Sequence, residues 1–127
     1  MNQEEKNGKF DLNDRLINLA VLIIKVCENV KQTKAGTHIV SQLLRSGTSP
    51  SLNYGEAQSA ESRDDFIHKL KISVKELRES YNSLQIILRA DLSSNTKQVE
   101  TTLKECNELI AILVKSIETA KRNRSKE

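Results

Sequence analysis

The chain has no tryptophan, two tyrosines and two phenylalanines in 127 residues. Single-strand nucleic-acid modules stack bases on several aromatic rings, and four scattered rings cannot build that platform. Two cysteines, Cys27 and Cys106, are too few for a disulfide framework, so a reducing, cytoplasmic setting is expected. One proline, Pro50, and four glycines leave room for long uninterrupted helices. Gly8, Gly36, Gly47 and Gly55 make no phosphate-cradling loop. No apolar run approaches 18 residues, so no membrane span is expected. The start, Met1 to Lys6, is polar and acidic where a secretory signal needs a basic start and an apolar stretch.

What the sequence does have is helical rhythm. Hydrophobic residues make up 37% and charged residues 29%, enough for one ordinary core. Residues 1–9 read as a polar arm, with Asp11 and Asp14 as an approximate capping box. Leu12, Leu16, Leu19, Ile23, Val26 and Val30 then recur at alternating spacings of four and three, one face of a helix. A second helical stretch over 35–58 turns Val40, Leu43, Gly47, Pro50, Tyr54 and Ala57 inward. Its small residues and Pro50 leave two outcomes open, a kinked helix or a break near Gly47–Pro50.

Ser62 and Asp65 cap the third stretch, in which Ile67, Leu70, Val74, Leu77, Tyr81, Leu84 and Leu88 keep the same rhythm. Asn95 and Gln98 cap the fourth, built on Val99, Leu103, Cys106, Ile110, Leu113, Ile117 and Ala120, with fraying expected beyond Lys121. Four amphipathic helices joined by short turns predict an all-α, antiparallel up-down-up-down four-helix bundle over 10–122, followed by a basic tail over 123–127.

Catalytic and metal chemistry is not apparent in the sequence. His38 and His68 have no ligand partner at helical spacing, and the Glu-x-x-His pattern of di-iron bundles is missing. Asp65 and His68 stand three apart without a second copy, which reads as a surface pair. No serine sits in a strained nucleophile context. Neither enzymatic activity, cofactor nor metal is expected.

Charge and apolar excess say more. Net charge is only +3, yet no carboxylate occurs from Asn29 to Gly55, where Lys31, Lys34, His38 and Arg45 fall. Lys69, Lys71, Lys75 and Arg78 on the third helix, with Lys121, Arg122 and Arg124 in the tail, are the candidate phosphate contacts. Glu76 and Glu79 interleave with the lysines, so a solvated face with local ion pairs is the competing reading. Arg45, Ser49, Asn53 and Glu56 recur at four, four and three, a polar stripe that either fixes helix register or binds a ligand or partner chain. Leu19 to Ile24 and Leu109 to Val114 are each apolar throughout, more than one buried stripe can use. Val21, Leu22, Ile24, Leu109, Ile112 and Val114 are therefore the candidate interface of a homo-oligomer.

Several stretches resemble one family: Phe10-Asp11-Leu12, the run Gln42 to Ser49, Asn53-Tyr54-Gly55-Glu56-Ala57, the run Asp65 to Leu70, and the run Ala111 to Ile117. They are similar to the bacterial four-helix-bundle proteins encoded in intervening sequences of 23S ribosomal RNA genes, over about residues 10–122. The polar stripe from Arg45 to Glu56 is the most specific part. The resemblance implies a left-handed bundle assembling as a homopentamer. It also points to relatives that serve diversity-generating retroelements as accessory proteins, which bind nucleic acid and a reverse transcriptase through a basic surface. Pro50 departs from the family pattern, where a helix former is usual, and Gly55 stands where a longer, often basic, residue is common.

The expected function is thus a non-enzymatic oligomeric bundle that binds structured RNA, or an RNA-protein partner, through basic surface. The alternative is a protein-interaction scaffold without a nucleic-acid role.

Overall fold

In the computed structural model, which describes residues 11–125, the apolar rhythms become four helices: α1 (Leu12–Glu28), α2 (Lys34–Gln58), α3 (Arg63–Arg89) and α4 (Thr96–Ser125). The arm read over residues 1–9 and the last two residues of the tail lie outside the described residues. Among the described residues there is no strand, and one isolated antiparallel bridge joins Val30 to Ser93.

The helix ends follow the capping chemistry in three of four cases. Ser62 Oγ accepts from the Asp65 N–H at 3.0 Å, and Asn95 Oδ1 accepts from the Gln98 N–H at 3.1 Å. Thr33 caps α2 by accepting from the Gly36 N–H at 3.1 Å. Asp11 precedes α1 but makes no capping hydrogen bond to it. At the other end of α3, Leu92 N–H bonds Ile87 C=O and Asp91 N–H bonds Leu88 C=O, a Schellman arrangement with Asp91 at φ 54°. The helix α4 continues to Ser125, past the expected fraying point at Lys121, and Arg124 Nη1 there donates to Asp64 Oδ1 at 2.8 Å.

Paired residues show that neighbouring helices run antiparallel. Along α3 and α2, Ser80 meets Ser46, Ser73 meets Pro50, and Lys69 meets Glu56. Cys106 and Arg124 of α4 pair with Leu77 and Asp64 of α3. Arg15 and Asn29 pair with Glu105 and Gln98. The helices touch in the order α1, α2, α3, α4 and back to α1. Lys31 N–H to Leu92 C=O (2.8 Å) and Ser94 N–H to Asn29 C=O (3.0 Å) tie two turns together and close one end.

The predicted inward faces form the core. Leu16, Leu19, Ile23, Leu43, Leu70, Leu77, Leu84, Leu113 and Cys106 are all at most 1% exposed. Gly47 sits where a Cβ would lie 2.6 Å from Ile23 Cδ1 and 2.8 Å from Cγ2, so only glycine permits this approach of α2 to α1. Buried serines pack α2 against α3: Ser80 Oγ donates to Ser46 Oγ at 2.8 Å, and Ser73 Oγ to Pro50 C=O at 3.1 Å.

The break left open near Pro50 is not there: α2 is helical from Lys34 to Gln58. Proline removes one intrahelical bond and normally costs about 3 kcal/mol. Here the bond removed is the one to the Ser46 carbonyl, while Pro50 itself is buried against α3, whose Ser73 Oγ donates to its carbonyl. Side chains also bond neighbouring carbonyls of α2. Thr48 Oγ1 donates to Leu44 C=O at 2.7 Å, Ser51 Oγ to Thr48 C=O at 3.3 Å, and Asn53 Nδ2 to Ser49 C=O at 3.1 Å.

Candidate nucleic-acid interface

The charges of α3 are sorted by which neighbour they meet. Leu70, Leu77 and Leu84 fix the core side. Glu76 and Glu79 lie one turn apart and both turn toward α2. There Arg45 Nη1 donates to Glu76 Oε2 at 2.9 Å, and Nη2 donates to Glu79 Oε2. Lys71, Lys75 and Arg78 are exposed and form no ion pair among the described residues. The interleaved carboxylates are thus committed elsewhere.

Lys69 lies apart from these three. Its Nζ donates to Glu56 Oε1 at 2.9 Å, and that hydrogen bond holds the ammonium above its ordinary pKa. The tail cations divide the same way. Arg124 pairs with Asp64, whereas Lys121 and Arg122 are exposed, with Arg122 Nη2 reaching only the Thr119 hydroxyl at 3.4 Å.

The polar stripe of α2 lies beside α3 and is fully partnered. Arg45 takes Glu76 and Glu79, Glu56 takes Lys69, and Asn53 Nδ2 donates to Ser49 Oγ at 2.9 Å. Such reciprocal bonds suit the fixing of helix register.

The apolar residues placed at an interface do not stay together. Val21 and Ile24 are exposed, and with Ile17 they form an outward stripe at spacings of four and three on α1. Leu22, Ile112 and Val114 are half-buried. Leu109 is 0% exposed and belongs to the core, which removes it from any outer surface. A six-residue apolar run fixes no phase, so the sequence alone does not separate Leu109 from its neighbours.

Burial pushes the Cys106 thiol up to about 12 and the Cys27 thiol up to about 11, so neither is a thiolate nucleophile at neutral pH. Among the described residues, no three His, Cys, Asp or Glu side chains group as metal ligands. No helix there is long and apolar enough to cross a membrane.

A second group on α3 escapes the sequence reading. Arg89 Nε donates to Gln85 Oε1 at 3.2 Å, and Gln85 Nε2 donates to Tyr81 Oη at 3.1 Å. With Asn82 and Ile86 these side chains line a surface depression of about 400 Å³. The signal available is spacing: Lys71, Lys75, Arg78, Asn82, Gln85 and Arg89 recur at four, three, four, three and four, one helix face.

Fold and surface together define an all-α four-helix bundle with one outward basic face on α3. Residues 9–115 match the 23S rRNA-intervening sequence proteins, and the chain belongs to that family. Among solved structures it is similar to the crystal structure of a protein with unknown function from the S23 ribosomal protein family of Bacteroides thetaiotaomicron. The two are 31% identical with a TM-score of 0.76, over 84% of this chain and 97% of that one. No curated protein matches the chain.

Proposed function

We propose that the chain is a non-enzymatic, oligomeric bundle that binds structured RNA, or an RNA-protein partner, through the basic face of α3. The observation that carries this reading is the sorting of charge. Arg45 engages Glu76 and Glu79, and Lys71, Lys75 and Arg78 face solvent without a carboxylate partner. Unpaired cations on a face poor in aromatic rings favour contact with backbone phosphate. Lys121 and Arg122 add to the same electrostatic footprint, while Lys69 and Arg124 commit their charge within the chain.

The test is a titration with a ribosomal-RNA hairpin across roughly 50 to 200 mM salt. Affinity should fall steeply with salt. Neutralising Lys71, Lys75 and Arg78 should flatten the slope by about one unit for each phosphate left without its cation. An unchanged slope removes this face, and no binding at low salt removes the RNA reading.

A protein-interaction scaffold is the second reading, favoured by the exposed Ile17, Val21 and Ile24. The stripe also supports self-association, for which the family resemblance suggests a homopentamer of left-handed four-helix bundles. The absorbance ratio at 260 and 280 nm of freshly purified protein separates the two readings. Co-purifying nucleic acid would register strongly, because a chain without tryptophan absorbs little at 280 nm.

A further inference from the structure

The face that starts at Lys71 ends, about 27 Å along the helix, at Arg89. Its last two turns are built differently from its first two. Gln85 uses both ends of its amide: Oε1 accepts from Arg89 Nε, and Nε2 donates to Tyr81 Oη. The guanidinium is therefore held by Nε, and its two Nη nitrogens make no hydrogen bond among the described residues. Having accepted from Gln85, the Tyr81 hydroxyl keeps its own proton for donation. Ile86, 51% exposed, supplies an apolar surface in the same depression.

An anchored guanidinium fork beside an exposed apolar side chain suits a flat ligand with two adjacent acceptors on one edge. Guanine offers such an edge in O6 and N7, whereas adenine places a donor beside its N7. We propose that the depression formed by Tyr81, Asn82, Gln85, Ile86 and Arg89 takes an unpaired guanine from an RNA loop. The stem phosphates then lie along Arg78, Lys75 and Lys71. The assignment rests on the RNA reading above and adds base selection to it.

The experiment compares hairpins that share one stem and differ at a single loop base, G or A, with the whole chain and its variants. The G loop should bind about 5- to 150-fold more tightly, the range of discrimination a bidentate arginine contact supplies. Arg89→Lys keeps the charge but loses the fork, so it should erase the preference and leave A-loop affinity nearly unchanged. Gln85→Ala, which frees the guanidinium, should narrow the preference. Circular dichroism of both variants checks that they fold, so that a lost preference reports the contact and not unfolding. Equal affinity for G and A loops, with a salt slope still set by Lys71, Lys75 and Arg78, overturns the guanine site and leaves the basic face standing. No binding of either hairpin at about 50 mM salt overturns the RNA reading and the guanine site with it.

Discussion

Arg45 of α2 donates to Glu76 of α3 at 2.9 Å, and this hydrogen bond joins the packing of the bundle to the charge of its surface. The Glu76 side chain is only 10% exposed, so its carboxylate depends on that partner, while Arg45 remains 58% exposed. Removing the arginine strands a buried charge. Arg45→Met should destabilise the bundle by at least about 1–3 kcal/mol, the range for leaving a buried polar group unsatisfied, since a charged group costs more. Arg45→Met combined with Glu76→Met should recover most of the loss, because apolar replacement of both partners is often neutral. Urea denaturation of the two singles and the double measures the coupling.

Gly47 makes a sharper demand on packing. A Cβ there meets two atoms of Ile23, and Ile23 is β-branched with little freedom at χ1. Gly47→Ala should therefore cost about 1–3 kcal/mol as overpacking, despite alanine's higher helix propensity. Adding Ile23→Ala makes room for the methyl, and the double variant should be more stable than the sum of the singles predicts. Thermal melts of the four proteins decide this. Loss that is simply additive would mean that α1 and α2 separate to relieve the clash.

The fold is legible in the sequence because helical rhythm is a repeated signal: each of the four elements has at least six inward positions in phase, most of them apolar. Pro50 misleads because what accommodates it is tertiary: it is buried, and its carbonyl accepts from Ser73 Oγ of α3, 23 residues away. Leu109 falls on the wrong side because a continuous apolar run has no phase. The site is only half legible. The cations of α3 can be read, but the direction of Glu76 and Glu79 depends on Arg45, 31 residues from the first of them. Nothing in α3 itself says whether its carboxylates neutralise its lysines or serve the neighbouring helix.

Cys106 gives a pH-dependent signature. Its Sγ donates to Leu77 C=O at 3.3 Å, and burial raises its pKa to about 12 from an ordinary value of 9.0. Between those values the folded chain keeps a proton that the unfolded chain releases. The thiol's contribution is fully present below about pH 9 and is lost as pH rises toward 12. The slope approaches about 1.4 kcal/mol per pH unit where the difference is one full proton. Cys106→Ala should flatten that alkaline limb in denaturation curves taken at successive pH values. At about pH 8, below both values, iodoacetamide should leave Cys106 unmodified until denaturant is added.

The outward stripe of α1 separates assembly from folding. Ile17, Val21 and Ile24 are 43%, 47% and 40% exposed, while the core of the same helix is complete without them. A charge placed in the middle of the stripe disturbs nothing inside the bundle but is costly to bury against another chain. Val21→Glu should therefore leave helicity and the melting midpoint of the isolated bundle nearly unchanged. If the stripe is the self-association surface, sedimentation should show the wild-type oligomer reduced to monomer. The paired control is Leu109→Glu. That side chain is 0% exposed, so its replacement should unfold the bundle rather than merely separate its copies. A wild-type chain that sediments as a monomer at micromolar concentration would reject self-association. An oligomer that survives Val21→Glu would place its interface elsewhere on the surface, and the half-buried Ile112 and Val114 of α4 would be the next residues to charge.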